Sequence, residues 1–212
     1  MLAARFPRTR AMARDSSSSA QKTGIAALDQ ILGGGLLRHG LTEITAQNKA
    51  SGSAFVLCKL FEQAAVEGGF TALVDGADSF DPAAIEPRVL ERLLWARCSG
   101  TTQALKAADL LLRDRNFPLV ALDLKMNSPR ELRSVSSSIW FRFKRLVEET
   151  GATVLVVTPF PLVNGASCRV QLEANLDRDA LKTDPSVLVS KFQFSLTRVP
   201  GAQAAHQGAK AG

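Results

Sequence analysis

Residues Gln47-Asn48-Lys49-Ala50-Ser51-Gly52-Ser53-Ala54 follow an apolar run of strand length and open a run of helical periodicity. A strand, a tight glycine-containing loop and a helix start let backbone N–H groups cradle phosphate. The chemistry also needs a lysine on the β- and γ-phosphates and a Ser or Thr hydroxyl on magnesium. Here Gly52 and the helix start are present. Gln47 stands where such a loop opens on glycine, Ser53 where it carries its lysine, and Ala54 where it carries the metal-binding hydroxyl. Without lysine and hydroxyl the main charge stabilisation of a transferring phosphoryl group is gone, so hydrolysis is not expected. Lys49, three residues before Gly52, reads either as a substitute cation reaching back into the loop or as an exposed loop lysine.

Other catalytic chemistries find few materials. The two histidines are His39 and His206, so neither a histidine triad nor a multi-histidine metal site can be assembled. Cys58, Cys98 and Cys168 are widely spaced, with no CxxC pair, and read as buried free thiols. No metal and no cofactor are expected.

The elements that must position the loop alternate between strand-length apolar runs and helix-length periodic stretches, the order of a mostly parallel sheet covered on both faces. Strands are expected at Leu41–Ala46, Phe70–Asp75, Leu93–Arg97, Leu119–Leu124 and Thr153–Thr158. Helices are expected at Gly52–Val66, from about Pro82, at Thr101–Arg115 with Leu105, Ala108, Leu111 and Leu112 inward, and at Pro129–Glu149. Cys168–Leu176 and Val187–Arg198 alternate apolar and polar residues and predict an antiparallel hairpin at the sheet edge. Gly33-Gly34-Gly35 precedes the first core strand and reads as a turn needing φ > 0 rather than as a phosphate nest. Asp123 ends a buried strand, where a carboxylate either caps the following turn or holds a metal.

With 46% hydrophobic and 22% charged residues in 212, the composition is that of a globular chain able to bury a full core. Residues 1–22 read as a flexible basic arm with a Ser-rich linker, 23–199 as the core domain and 200–212 as a disordered tail. Up to residue 24, Arg5, Arg8, Arg10, Arg14 and Lys22 oppose only Asp15, a net +4 of the chain's +6, and Lys210 adds one more. The body is nearly neutral, so the basic balance says little about the fold. The arm reads as a mobile or oligomerising extension, with a transit peptide as the alternative. No apolar run reaches the roughly 18 residues of a membrane span, and a cytoplasmic location is expected.

Thr23-Gly24-Ile25, Leu28-Asp29, Leu32-Gly33-Gly34-Gly35-Leu36, Gly40, Glu43-Ile44, Val74-Asp75, Asp81-Pro82 and Gln103-Ala104-Leu105 closely resemble the RecA recombinase family in order and spacing, over about residues 23–199. Arg92-Leu93-Leu94-Trp95-Ala96-Arg97-Cys98, Leu122-Asp123-Leu124 and Trp140-Phe141-Arg142-Phe143 bring the chain nearest to the divergent RecA-like proteins called ImuA, encoded with error-prone polymerases. The resemblance implies a RecA-like α/β fold, with a mostly parallel twisted sheet, helices on both faces and an antiparallel hairpin at the C-terminal edge. It implies a vestigial nucleotide site at Gln47, Asn48, Lys49, Ser51, Gly52, Ser53, Asp81 and Asp123. Asp123 matches the Walker B aspartate and Asp81 an adenine-contacting one. The family's catalytic glutamate position holds Ala77, its adenine-stacking aromatic position holds Ala84, and Thr158-Pro159-Phe160 lacks the coupling glutamine.

The implied role is a noncatalytic accessory factor of error-prone synthesis, with a Y-family-polymerase-like protein and RecA as partners. Two alternatives stay open: a DNA-stimulated ATPase using Lys49 and Asp123, and a regulator of the SulA-type cell-division inhibitors. The family's two DNA loops correspond to about Lys125–Ser138 and Phe160–Ser167, the second nearly without basic groups. Arg130, Arg133, Arg142, Lys144 and Arg145, interleaved with Trp140, Phe141 and Phe143, have the composition used on single-stranded DNA. They equally suit the solvated side of a helix whose Trp140, Phe143, Leu146 and Val147 are core.

Overall fold

The computed structural model describes residues 20–48, 50–174, 176 and 185–198. Lys49, most of the basic arm and the C-terminal tail lie outside the described residues. The chain opens with β1 (Ala20–Gln21), α1 (Ala26–Ile31) and β2 (Leu36–Leu37), β1 and β2 forming a small antiparallel pair. Gly33, Gly34 and Gly35 take φ of 72°, 130° and 138° in the turn between α1 and β2.

The main sheet contains β3 (Leu41–Thr45), β4 (Thr71–Asp75), β5 (Leu93–Arg97), β6 (Leu119–Asp123), β7 (Thr153–Thr158), β8 (Cys168–Glu173) and β9 (Gln193–Arg198). Their spatial order is β5-β4-β6-β7-β3-β8-β9, all parallel except the last pair. β3, β4 and β7 are buried at every residue. That two-sided burial is why they read as apolar or β-branched runs, interrupted only by Glu43 in β3 and ended by Asp75 in β4, whereas β8 alternates.

Helices cover both faces. On one, Leu28 of α1 and Val56, Leu57, Leu60 and Phe61 of α2 (Ser53–Val66) pack against Leu73, Ala121 and Leu155. On the other, α4 (Thr101–Asp114) and α6 (Ser137–Thr150) cover Val74, Leu122 and Val156. Trp140, Phe143, Leu146 and Val147 form the buried stripe of α6, with the Trp140 and Phe143 rings edge-on at 5.9 Å. Burying one such ring stabilises the fold by about 1.5–3 kcal/mol. Of the residues expected inward on α4, Leu105, Ala108 and Leu112 are buried and Leu111 is partly so.

Three expectations of regular structure are corrected. The helix expected from Pro82 is a 3₁₀ turn, Pro82–Ala84, followed by the four-residue α3, Pro87–Leu90. Both prolines force the preceding residue out of the helical region: Asp81 has ψ 107° and Glu86 has ψ 141°. The long helix Pro129–Glu149 is two, α5 (Pro129–Arg133) and α6. Ser136 is extended between them, and its hydroxyl accepts from the Ser138 N–H as the cap of α6. Val187–Val189 are the end of α7 (Pro185–Val189), so the second strand of the edge hairpin starts only at Gln193.

A candidate functional site at the carboxyl ends of the strands

From β3 the chain crosses two strands to reach β4, and from β7 it crosses β3 to reach β8. Where connections leave a central strand in opposite directions, a crevice opens at the carboxyl ends, the usual place for a ligand in an open α/β sheet. The loop 46–52 and the start of α2 lie there.

Gly52 takes φ 78° as the N-cap of α2, in the left-handed region that favours glycine. A Cβ at Gly52 would lie 2.5 Å from Cε1 and 2.6 Å from Cζ of Phe192. This buried ring stands edge-on to Phe55 at 5.4 Å and to Phe194 at 6.2 Å. Ser51 is buried, and its hydroxyl has no hydrogen-bond partner among the described residues. Ser53 is the first residue of α2 and is buried. Gln47 and Asn48 are exposed and line a cavity of about 310 Å³ with Gln171, Glu173, Lys191 and Gln193.

The cation at this loop comes from an unexpected place. Lys125, two residues beyond β6, is buried and its Nζ donates to the Asn48 carbonyl at 2.7 Å. The signal in the sequence is a lysine immediately past a buried strand end, where a charge needs a partner. Asp123 caps this turn: its Oδ1 accepts from the Lys125 N–H at 2.9 Å. Asp81 caps the 3₁₀ turn by accepting from the Ala83 N–H at 2.9 Å. Asp75, fully buried, accepts from the N–H groups of Ser79 at 3.0 Å and Phe80 at 2.9 Å, and from Trp95 Nε1 at 3.3 Å. These bonds fix the segment that contains Ala77.

Burial pushes the Asp123 carboxyl up to about 6; nearby Asp75 adds to the rise, while the Lys125 N–H and ammonium oppose it. A carboxyl whose folded pKa exceeds its unfolded one contributes stability that is full at low pH and lost as pH rises through the folded value. Stability should therefore fall between about pH 4 and pH 7, where Asp123 ionises. Asp123→Asn keeps an oxygen for the Lys125 N–H and should add about 1–2 kcal/mol at pH 7.5 while flattening that slope. Urea midpoints at pH 4.5 and 7.5 check this; an unchanged slope would count against it.

The five basic candidates are not brought into one track. Arg142 sits 2.9 Å from Asp109, tying α6 to α4, and Arg145 lies 3.6 Å from Glu149. Arg133 stacks over Phe160 at 4.8 Å from the ring centre. Arg130 and Lys144 are exposed and make no ion pair among the described residues.

Residues 159–167, the counterpart of the second DNA loop, cross from β7 to β8, and Val163 and Ala166 are buried against the α4–α6 face. Glu43, fully buried in the middle of β3, accepts from Thr158 Oγ1 at 2.9 Å and from the N–H groups of Leu162 at 2.7 Å and Val163 at 3.1 Å. Arg169 pairs with the same carboxylate and donates to the Val163 carbonyl at 3.1 Å. An acidic residue inside a strand buried on both faces was the available sign of this partnership.

No protein-family model matches the chain. It is 35% identical over 104 residues to Protein RecA of Chlorobium chlorochromatii (strain CaD3), covering 48% of this chain and 29% of that protein. Protein RecA of Picosynechococcus sp. is 31% identical over 103 residues, with 48% and 29% covered. Over about half its length the chain is related to RecA. Protein RecA of Cutibacterium acnes gives 34% over 104 residues, with 48% and 30% covered. The chain thus spans about three-tenths of the length of these curated relatives. The mostly parallel sheet, its two helical layers and the edge hairpin are a RecA-like architecture. No helix among the described residues is long and apolar enough to cross a membrane.

Proposed function

We propose that the protein is a noncatalytic RecA-fold accessory factor in the DNA damage response and error-prone translesion synthesis. In this reading it acts through contacts with a Y-family-polymerase-like protein and with RecA. The observation that carries the noncatalytic part is the loop itself. α2 begins Ser53-Ala54, Phe192 occupies the space beside Gly52, and the Asn48 carbonyl is taken by Lys125. A magnesium–triphosphate group asks for a lysine and a hydroxyl at the first two helical positions. Neither is there, so these residues do not fit it, and no step of a mechanism runs through a nucleotide. The accessory role is supported by the resemblance to ImuA proteins and by the RecA relationship over half the chain.

The engaged state of Arg142, Arg145 and Arg133 supports weak contact with single-stranded DNA at most. The basic arm, residues 1–22, remains the candidate for self-association. Purified protein is expected to show no magnesium-dependent ATP turnover above a no-protein control, with or without single-stranded DNA. Turnover abolished by Lys49→Ala would overturn the reading in favour of a DNA-stimulated ATPase. Binary pull-downs with a Y-family polymerase and with RecA test the partners; binding to neither would remove the accessory role.

A further inference from the structure

We infer that Asn164 is a self-modification site: its carboxamide cyclises onto the Gly165 nitrogen and is hydrolysed, converting the crossover between β7 and β8 to aspartyl and isoaspartyl forms. This chemistry needs no enzyme, and it stands whether or not the accessory role does.

Asn164 is exposed, and no other asparagine of the chain precedes a glycine. The Ala166 N–H donates to the Val163 carbonyl at 3.3 Å and closes a turn with Asn164 and Gly165 at its centre. Gly165 takes φ 85°, and a turn with positive φ at its third position calls for glycine there. The turn thus accounts for Gly165 and leaves Asn164 without a structural task. Its carboxamide makes no hydrogen bond among the described residues, and neither does the Gly165 N–H. With no Cβ at residue 165, nothing shields that nitrogen from the carboxamide. The other asparagines are held or shielded. Asn127 is buried and donates to the Gly76 carbonyl at 2.9 Å and to Thr101 Oγ1 at 3.1 Å. Asn116 donates to Asp114 at 2.6 Å and precedes Phe117, and Asn48 precedes Lys49. Asn175 lies outside the described residues.

The Gly165 nitrogen, losing its proton to hydroxide, attacks the Asn164 side-chain carbonyl carbon, and the amide group leaves as ammonia. Water then opens the five-membered imide. Opening at the side-chain carbonyl gives aspartate. Opening at the main-chain carbonyl gives isoaspartate, whose backbone runs through the side-chain carbons. The second product adds one carbon, about 1.5 Å of chain, to the crossover. That segment is pinned on both sides. Val163 is tied to Glu43 and Arg169, and the Ser167 N–H donates to the Leu41 carbonyl at 2.7 Å. The extra carbon therefore displaces a hydrogen-bonded anchor, while aspartate adds only a charge.

The full-length protein is incubated at 37 °C at about pH 8.5 and at about pH 5, then cleaved with trypsin. Fragment 146–169 contains Asn164 and no other asparagine or glutamine. It is expected to gain the mass of an NH2-to-OH exchange at the higher pH and to accept a methyl group from an isoaspartyl methyltransferase. Both signals should be lost at the lower pH and in Asn164→Gln, whose longer side chain closes a five-membered ring no longer. An unchanged fragment from folded protein, under conditions that convert urea-unfolded protein, would mean that the turn protects Asn164 and overturns the inference. Conversion in neither state, or methyl labelling of this fragment that persists in Asn164→Gln, overturns it as well. The isoaspartyl form, separated by ion exchange, should melt below fresh protein, whereas Asn164→Asp should melt with it. Equal melting of all three would show that the crossover absorbs the added carbon and would remove the proposed loss of an anchor.

Discussion

Arg169→Met is expected to lower stability by about 3–5 kcal/mol, because it leaves the Glu43 carboxylate buried without its countercharge. Glu43 is fully inaccessible, and the Arg169 side chain is 17% exposed, so water can replace little of the lost interaction. The two residues are register partners on adjacent parallel strands. Urea unfolding of wild type and variant measures the difference directly. The double change Glu43→Leu with Arg169→Met should recover part of the loss, since removing both charges removes the desolvation cost as well. It should still fall short of wild type, because the Leu162 and Val163 N–H groups lose their acceptor. A loss below about 1 kcal/mol for Arg169→Met would show that the pair is solvated rather than structural.

The contrast between Glu43 and the strands around it shows what could be read from the sequence. β7 occurs over the residues its apolar run predicts, because a parallel strand buried on both faces needs an uninterrupted run and tolerates little else; β5 also has the expected bounds, although as an edge strand it is only partly buried. The buried stripe of α6 was legible from the 3.6-residue spacing of Trp140, Phe143 and Val147. Boundaries set by single residues were less so. Ser136 interrupts a periodicity that would carry a helix straight through, and Pro185 starts a short helix that runs on into the segment expected to alternate from Val187.

At the site, the loop 47–54 was visible as a motif with substitutions, but the groups that meet it were not. Lys125 reaches Asn48 across 77 residues of sequence, and Phe192 meets Gly52 from farther still. Such contacts follow from the order of strands in the sheet, which periodicity does not encode. The basic residues of 130–145 were legible as a cluster, while the ion pair of Arg142 and the stacking of Arg133 depend on Asp109 and Phe160, on other elements.

Gly52→Ala should be the second large effect. A left-handed backbone costs a non-glycine residue about 1–2 kcal/mol. Forcing a methyl group into a packed site costs about 1–3 kcal/mol more, and here the new carbon would lie within 2.6 Å of two Phe192 ring atoms. The sum is about 2–5 kcal/mol, and the two parts can be separated. In a Phe192→Ala background the overlap is gone, so Gly52→Ala should cost only the backbone part, giving a coupling of about 1–3 kcal/mol in the double-mutant cycle. Additive effects would mean that the ring moves aside freely and does not define the loop.

The same background tests whether Phe192 merely fills space or closes a site. A ligand present at 100 times its Kd stabilises the protein that binds it by about 2.7 kcal/mol. Magnesium-ATP should produce no such gain in Phe192→Ala, because opening the space restores neither the lysine replaced by Ser53 nor the hydroxyl replaced by Ala54. A saturable gain in the variant but not in wild type would make the ring a gate over a working nucleotide site, and the noncatalytic reading would have to be abandoned with it.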